Sequence, residues 1–154
     1  MNIVLIGAKA SGKSSLGKEL ARTLGTTYVE TDEILETLYE QQSSAAVTCR
    51  EIFNLIGEEA FRQLETTAVQ ETLHLDRHVI ITGGSTFLYA ENRRVLRNNA
   101  IIIYCRCDTD TLIKRLEDDI SFTAGLSKAV FLDWYAEDIR KKDEIYAGFA
   151  DIVI

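Results

Sequence analysis

The sequence predicts an α/β fold with a parallel sheet, and three observations support it. The chain has 154 residues, of which 46% are hydrophobic and 27% charged, as is typical of a globular protein. Short β-branched runs alternate with longer segments that carry apolar residues at helical spacing. A glycine-rich loop joins the first run to the first helical segment. We find no repeat, linker or low-complexity tract, so we expect one domain over residues 1–154.

The first elements are a strand, a helix and a second strand. Residues 3–6 form an apolar, β-branched run, which is typical of a strand buried on both faces. Residues 14–24 carry leucines at helical spacing, and Gly25 stands where a C-cap glycine is expected. Residues 27–29 predict a second, weaker strand.

The middle of the chain predicts two helices and a third strand. Asp32 can cap a helix, and the polar residues 41–46 are expected to form a loop after it. Residues 51–73 form a long helical pattern in which Gly57 can kink or break the helix. Residues 79–82 then predict the third strand.

The same alternation continues to the end of the sequence. Asp108 can cap the second helix of this part, and two further strands bring the candidates to five. The predicted elements are a helix at 90–98, a strand at 100–104, a helix at 109–116, an irregular loop at 120–127, a helix at 128–146 and a strand at 152–154.

Charge and cysteine content exclude several classes of protein. The 24 acidic and 17 basic side chains give a net charge of -7, which disfavours a nucleic-acid-binding protein. The N-terminal residues lack the features of a signal peptide, and every apolar run is too short to span a bilayer. The odd count of three cysteines favours a reducing compartment. We expect a cytoplasmic monomer that binds neither nucleic acid nor membrane.

A phosphate loop is the clearest functional pattern. Residues 7–14 match G-x-x-x-x-G-K-[ST], follow an apolar strand and open a helix, so backbone N–H groups and the helix dipole can hold an anion. The Lys13 ammonium can reach the outer phosphates, and the Ser14 hydroxyl can ligate Mg²⁺. The predicted nucleotide contacts are Gly7, Ala8, Lys9, Ala10, Ser11, Gly12, Lys13, Ser14 and Ser15.

Candidate residues for a second substrate follow the second and third strands. Asp32 and Glu30 lie at the strand end that faces the ligand crevice of a parallel sheet, where they could hold hydrated Mg²⁺ or a hydroxyl, although Asp32 could merely cap its helix. Arg62 could bind an anion or pair with a carboxylate four residues earlier. Gly83 and Gly84 permit close approach to a ligand, but they could also simply form a turn.

Together these segments resemble the shikimate kinases, phosphate-loop enzymes akin to the nucleoside monophosphate kinases. The resemblance implies a three-layer α/β/α fold with a five-stranded parallel sheet in the order 2-3-1-4-5. It also implies a substrate-binding helical region at about 32–74 and a lid loop at about 118–128. The segments that carry it are 7–14, 30–32, 52–65, 82–84 and 146–151.

The resemblance implies phosphoryl transfer from ATP, with Mg²⁺, to a hydroxyl of a small carboxylated metabolite. The expected reaction converts shikimate to shikimate 3-phosphate in aromatic amino-acid biosynthesis. The resemblance assigns catalysis to Lys13, Asp32 and Arg62. It assigns Mg²⁺ to Ser14, Glu30 and Asp32, the acceptor to Asp32, Arg62, Gly83, Gly84 and Lys142, and adenine packing to Arg115.

Three departures from the family pattern affect the acceptor end. Residues 123–126 stand where the family lid has Arg-Pro-Leu-Leu, Lys142 replaces an arginine, and Ser85 replaces the third glycine of a triplet. A lysine cannot reproduce the planar fork of an arginine. The protein could therefore be a divergent shikimate kinase that uses Lys142, Arg140 or Lys128. It could also be a kinase for another small hydroxylated metabolite, or a nucleotide-binding module that has lost transfer activity.

Overall fold

The computed structural model describes residues 1–117 and 127–154. The expected α/β fold and the strand order 2-3-1-4-5 are confirmed, because all pairings in the sheet are parallel and follow that order. Most of the predicted lid lies outside the described residues. The strands are β1 (Asn2–Ile6), β2 (Thr27–Glu30), β3 (His78–Ile81), β4 (Ala100–Tyr104) and β5 (Ile152–Val153). The helices include α1 (Lys13–Leu24), α2 (Thr31–Ser43), α3 (Cys49–Glu71), α4 (Ala90–Leu96), α5 (Thr109–Glu117) and α6 (Lys128–Phe149).

The central strands are apolar on both faces, and the two faces pack against different helices. Val4 and Ile80 belong to a buried cluster with side chains of α3, α4 and α6. Leu5 and Ile81 point the opposite way and pack with Ala21 of α1. Since neighbouring residues of a strand face opposite sides of a sheet, these runs bury almost every side chain.

Helix α1 lies directly on the sheet at Gly17. A Cβ at this position would lie 2.5 Å from Ile81 Cδ1 and 3.0 Å from Leu5 Cδ1, so only glycine permits this approach. Gly25 ends the helix in the left-handed conformation, with φ 63°, as predicted. The start of α1, which carries the phosphate loop, is therefore held at a fixed height above the sheet.

Helix α2 differs from its prediction at both ends. It begins at Thr31 with Glu30 as the N-cap residue, so Asp32 lies inside the first turn and the capping interpretation is wrong. It continues to Ser43, so the loop predicted at 41–46 is wrong for its first three residues. Leu38 and Tyr39 pack against the cluster that α2 shares with α3, and this tertiary packing extends the helix beyond its local pattern.

Helix α3 begins two residues before its predicted start. Thr48 and Glu51 form a reciprocal capping box that fixes this start. Gly57 interrupts the helix with φ 81° and ψ 169°, which confirms the predicted kink. The part after the kink carries Phe61, which is buried against α2.

Helix α6 runs three residues beyond its predicted end and closes one face of the sheet. Tyr146 is 1% exposed and packs between the rings of Tyr104 and Phe87. Within the described ranges, no helix is both long and apolar enough to cross a membrane.

Candidate active site

The phosphate loop connects β1 to α1 through three residues with positive φ. These are Gly7 at 147°, Ala10 at 64° and Gly12 at 92°. A Cβ on Gly7 would lie 2.7 Å from the Cys105 carbonyl oxygen, so the loop passes tightly against the end of β4. Ala10 adopts a conformation that is unfavourable for a residue with a Cβ, and nothing in the sequence pattern indicated it.

Lys13 is buried at the base of the loop. Its side chain is 7% exposed, and Nζ donates a hydrogen bond to the Ala8 carbonyl oxygen at 2.7 Å. Burial lowers the Lys13 pKa to about 8, although the nearby Cys105, Asp32 and Glu30 oppose this shift. The loop therefore holds the ammonium by a hydrogen bond of its own, where phosphate oxygens would lie.

Ser14 and Glu30 meet at the mouth of the loop. Ser14 Oγ donates to Glu30 Oε2 at 3.0 Å, and Glu30 Oε1 pairs with Lys18 Nζ at 3.0 Å. Both are hard oxygen ligands of the kind that Mg²⁺ prefers. Sequence reasoning missed Lys18, which lies one helical turn after Ser14 and neutralises the Glu30 carboxylate.

Asp32 lies between the loop and the turn that follows β3. Asp32 is exposed to solvent in a cleft, and a Cβ on Gly83 would lie 2.5 Å from its Oδ1 atom. Desolvation and the nearby Glu65 carboxylate raise the Asp32 pKa to about 6, while Lys13 opposes the shift. A carboxylate with this pKa is mostly ionised at neutral pH and can still accept a proton.

Arg62 forms no ion pair with Glu58, so the surface-pair interpretation is wrong. Its Nη1 atom instead lies 3.0 Å from Glu65 Oε2, and its guanidinium lies 5.0 Å from the centre of the Tyr89 ring. Glu65 is 4% exposed and accepts a hydrogen bond from Thr86 Oγ1 at 2.8 Å. Arg62 is therefore held in place by Glu65, one turn later in the same helix, and by Tyr89, which the sequence pattern did not indicate.

The turn after β3 packs directly against the phosphate loop. Gly83 N donates to Thr31 Oγ1 at 3.1 Å, and a Cβ on Gly84 would lie only 3.0 Å from the Lys9 backbone nitrogen. Tyr146 of α6 donates from its hydroxyl to the Gly84 carbonyl oxygen at 2.5 Å. The glycines thus do more than form a turn, because they allow two backbone segments to meet.

Arg115 reaches the phosphate loop from α5. Its Nη1 atom donates to the Ala10 carbonyl oxygen at 2.8 Å, and the side chain is exposed at the rim of the cleft. Arg140, one of the alternative cations, is exposed and lines neither of the clefts described next. The lid residues 123–126 lie outside the described residues.

Two adjoining clefts bring these residues together. The first has a volume of about 640 Å³ and is lined by the phosphate loop, Glu30 and Arg115. The second, of about 230 Å³, is lined by Arg62 and Lys142, and also by residues that sequence reasoning missed, including Cys49, Trp134 and Asp138. The clefts share Lys9, Asp32, Gly83 and Gly84.

This arrangement suits transfer between two ligands. The first cleft offers backbone N–H groups, a helix N-terminus and an ammonium to an anion such as a nucleotide phosphate. The second offers a guanidinium, an ammonium and a carboxylate to a smaller polar molecule. Asp32 borders both, so it can contact a group of one ligand that faces the other.

Comparison with known proteins decides the family. The shikimate kinase family model matches residues 9–154. A shikimate kinase of Bordetella avium (strain 197N) is 33% identical over 152 residues, which cover 99% of this chain and 69% of the relative. The chain belongs to the shikimate kinase family. Another member, shikimate kinase 2 of Photorhabdus laumondii, is 31% identical over 154 residues, covering 99% of this chain and 84% of the relative.

Solved shikimate kinase structures share the whole architecture. The enzyme from Acinetobacter baumannii in complex with shikimate has a TM-score of 0.81 and 27% sequence identity, covering 99% of this chain and 82% of that chain. The Bacteroides thetaiotaomicron enzyme has a TM-score of 0.86 at 24% identity, covering 100% of this chain and 85% of that chain. At this identity the likeness supports only the assignment of the fold. The sheet order and the position of the phosphate loop are therefore those of a kinase of this family.

Proposed function

We propose that the protein transfers the γ-phosphoryl group of ATP to the 3-hydroxyl group of shikimate, with Mg²⁺. The observation that carries this proposal is the meeting of the two clefts at Asp32, with the Arg62 guanidinium in the second one. Phosphoryl transfer depends mainly on positioning and on charge stabilisation, and both need donor and acceptor sites that share a border. We further propose that the protein acts in the cytoplasm, as a monomer, in aromatic amino-acid biosynthesis.

The phosphate loop binds the nucleotide in this proposal. Gly7 to Ser14 surround the phosphates with N–H groups, and Lys13 exchanges its bond to the Ala8 carbonyl oxygen for phosphate oxygens. Arg115 lies where it could pack on the base, at the rim of the first cleft. Because Lys13 is held in place before ATP arrives, little side-chain entropy is lost on binding.

Oxygen ligands at the mouth of the loop fit Mg²⁺. Ser14, Glu30 and Asp32 would hold it directly or through water, and the bound ion would neutralise charge on the phosphates. Within residues 1–117 and 127–154, no cluster of three or more acidic, histidine or cysteine side chains forms a metal site by itself. This agrees with an ion that takes most of its ligands from phosphate and water.

Asp32 and Arg62 orient the acceptor in this proposal. The Asp32 carboxylate accepts a hydrogen bond from the reacting hydroxyl and can take its proton, which a pKa of about 6 favours near neutral pH. The Arg62 guanidinium binds the shikimate carboxylate through paired hydrogen bonds. The backbone of Gly83 and Gly84 lines the same cleft and approaches the acceptor closely.

One experiment separates this function from the two alternatives, which are a kinase for another small metabolite and a nucleotide-binding module without transfer activity. A coupled assay of ADP release would use the full chain with ATP and Mg²⁺. Shikimate would be tested beside other hydroxy acids, sugars and nucleoside monophosphates. We expect turnover with shikimate and its loss in Lys13→Ala. Circular dichroism should show that this variant retains the fold.

Three outcomes would contradict the proposal or part of it. Turnover with a different acceptor alone would indicate another metabolite kinase of this fold. ATP binding without turnover on any acceptor would indicate a nucleotide-binding module. Full activity of Lys13→Ala would reject the phosphate-loop assignment itself.

A further inference from the structure

Two departures from the family sequence pattern, far apart in the chain, contact each other in the structure. Ser85 stands where a glycine is expected, and Lys142 stands where an arginine is expected. Lys142 Nζ donates a hydrogen bond to Ser85 Oγ at 3.0 Å. Both residues line the second cleft, which contains Arg62 and is called the acceptor cleft from here on. We propose that Ser85 is a positioning residue that aims the Lys142 ammonium at the acceptor carboxylate, so that the two act as one unit. This inference rests on the proposed function.

Lys142 is held on two sides. Its ammonium also forms an ion pair with Asp138, one turn earlier on α6. The Lys142 side chain is 14% exposed and that of Asp138 is 23% exposed, so the pair is largely removed from solvent. A long, flexible side chain with two fixed partners loses little further entropy when it binds a ligand.

The Ser85 hydroxyl has a well-defined position. Ser85 has φ -126° and ψ -5°, which a residue with a side chain adopts without left-handed strain. The preceding Gly84 carbonyl oxygen accepts the hydrogen bond from Tyr146, which fixes the turn against α6. The same helix therefore carries Lys142 and anchors the segment that orients it.

The donors of Lys142 leave room for one ligand contact. An ammonium has three N–H donors. One is donated to Ser85 Oγ, and the contact with Asp138 is an ion pair. Arg62, already paired with Glu65, supplies the paired hydrogen bonds to a carboxylate, while Lys142 adds a single directed one. The Asp138 carboxylate offsets the positive charge of Lys142. The Ser85 hydroxyl is uncharged, so its main effect is to fix the direction in which the Lys142 ammonium points.

A double-mutant cycle tests the proposal on the full chain. Shikimate affinity would be measured by calorimetry for wild type, Ser85→Ala, Lys142→Met and the double variant. We expect Ser85→Ala to weaken binding by about 3- to 10-fold, the size of one hydrogen bond, and Lys142→Met by about 10-fold or more. The double variant should bind no more weakly than Lys142→Met, because the hydroxyl acts only through the ammonium.

Three controls separate positioning from a merely structural effect. Ser85→Ala should leave ATP affinity unchanged, and it should not alter binding of a neutral ester of shikimate, which lacks the carboxylate. Ser43→Ala, which removes an exposed hydroxyl at the end of α2, should leave shikimate affinity unchanged.

The outcomes that would overturn the inference differ from those that would overturn the function. Equal shikimate binding by wild type and Ser85→Ala would reject the positioning role alone. So would a Ser85→Ala loss of shikimate affinity that is the same in the wild type and in Lys142→Met. Absence of shikimate binding by wild type would reject the proposed function, and this inference with it.

Discussion

Lys13 and Asp32 carry opposite charges beside the same cleft, and their surroundings shift both pKa values toward neutrality. The Lys13 pKa falls to about 8 and the Asp32 pKa rises to about 6, in each case chiefly because burial disfavours the charged form. Each group partly restores the charge of the other. Both can therefore change protonation state when a charged ligand arrives, which is a common property of catalytic groups.

Asp32→Asn should stabilise the folded protein at neutral pH. The folded pKa of about 6 lies above the ordinary value of 3.8, so folding must retain a disfavoured charge at pH 7. We expect a gain of up to about 1 kcal/mol in the free energy of unfolding, since solvent in the cleft screens the charge. Urea denaturation should show the gain at pH 7 and its decrease toward pH 4, where the folded wild-type carboxyl is protonated.

The matched control for this prediction is Glu33→Gln. Glu33 is an exposed carboxylate in the same helical turn, so its replacement should change stability little at either pH. An Asp32→Asn effect of the same size at pH 7 and pH 4 would contradict the assigned cause.

Arg62→Ala should affect the acceptor far more than the nucleotide. Loss of paired, charge-assisted hydrogen bonds should raise the shikimate KM about 10- to 100-fold and leave the ATP KM within about twofold. Arg94→Ala is the control, because Arg94 forms the same i,i+3 pair with Glu91 on an exposed surface. Steady-state kinetics with each substrate varied in turn would measure both values, and equal rises in the two would contradict the assignment.

At the scale of elements, helix α1 is positioned by one close contact. Because Gly17 has no side chain, the helix backbone lies against Ile81 and Leu5, and the phosphate loop at its start shares that position. Helix α6 has a comparable role on the other side. The Tyr135 hydroxyl of this helix donates to the Lys9 carbonyl oxygen at 2.9 Å, so α6 also holds the phosphate loop in place.

Gly17→Ala and Gly148→Ala should have opposite effects on stability. The first forces a methyl group into side chains of the sheet and should cost about 1–3 kcal/mol of unfolding free energy. The second adds a methyl group to a helical position with nothing within 4 Å, which should stabilise by up to about 1 kcal/mol. Urea denaturation of the two variants provides the comparison, and loss of stability in both would argue against the packing explanation.

The sequence pattern correctly predicted the elements that depend only on neighbouring residues. The buried strands, the Gly25 cap and the Gly57 kink follow from composition over a few residues. The end of α2 does not, because it depends on packing against α3. The Arg62–Glu65 pair is local, at i,i+3 in α3, but the hydrogen bond that holds Glu65 comes from Thr86, in the segment after β3. The Ser85–Lys142 contact joins residues 57 positions apart, and no spacing rule predicts it.

At the scale of the whole molecule, strand order assembles the site. In the order β2-β3-β1, the segments that follow three adjacent strands meet at one edge of the sheet. These segments carry Asp32, Gly83 and the phosphate loop at 7–14. The sequence showed that each follows a strand, but the strand order itself came from the family resemblance, because periodicity carries no information on which strands are neighbours.

ATP should stabilise the entire fold, and the effect should weaken at high pH. A ligand that binds only the folded state at 100 times its Kd adds about 2.7 kcal/mol to the free energy of unfolding. Above pH 8 the Lys13 ammonium loses its proton in the free protein. The protein must then take up a proton from solution when it binds ATP, so ATP binding becomes weaker. Thermal unfolding with and without ATP at pH 7 and pH 9 should show this loss.

Lys13→Ala provides the control for the pH effect. The variant should show a smaller shift in Tm with ATP, and that shift should be the same at both pH values. A wild-type shift in Tm that does not change between pH 7 and pH 9 would contradict the role of Lys13.

The single tryptophan of the chain, Trp134, lines the acceptor cleft and is 56% exposed. Its indole ring lies 5.9 Å from the Phe131 ring on the same helix. An acceptor that enters the cleft displaces water from the indole, which changes its fluorescence emission. The molecule thus contains its own optical reporter, with no second indole to obscure it. Rapid-mixing fluorescence can therefore time the arrival of the acceptor in the unlabelled protein, with and without ATP, and reveal whether the nucleotide must bind first.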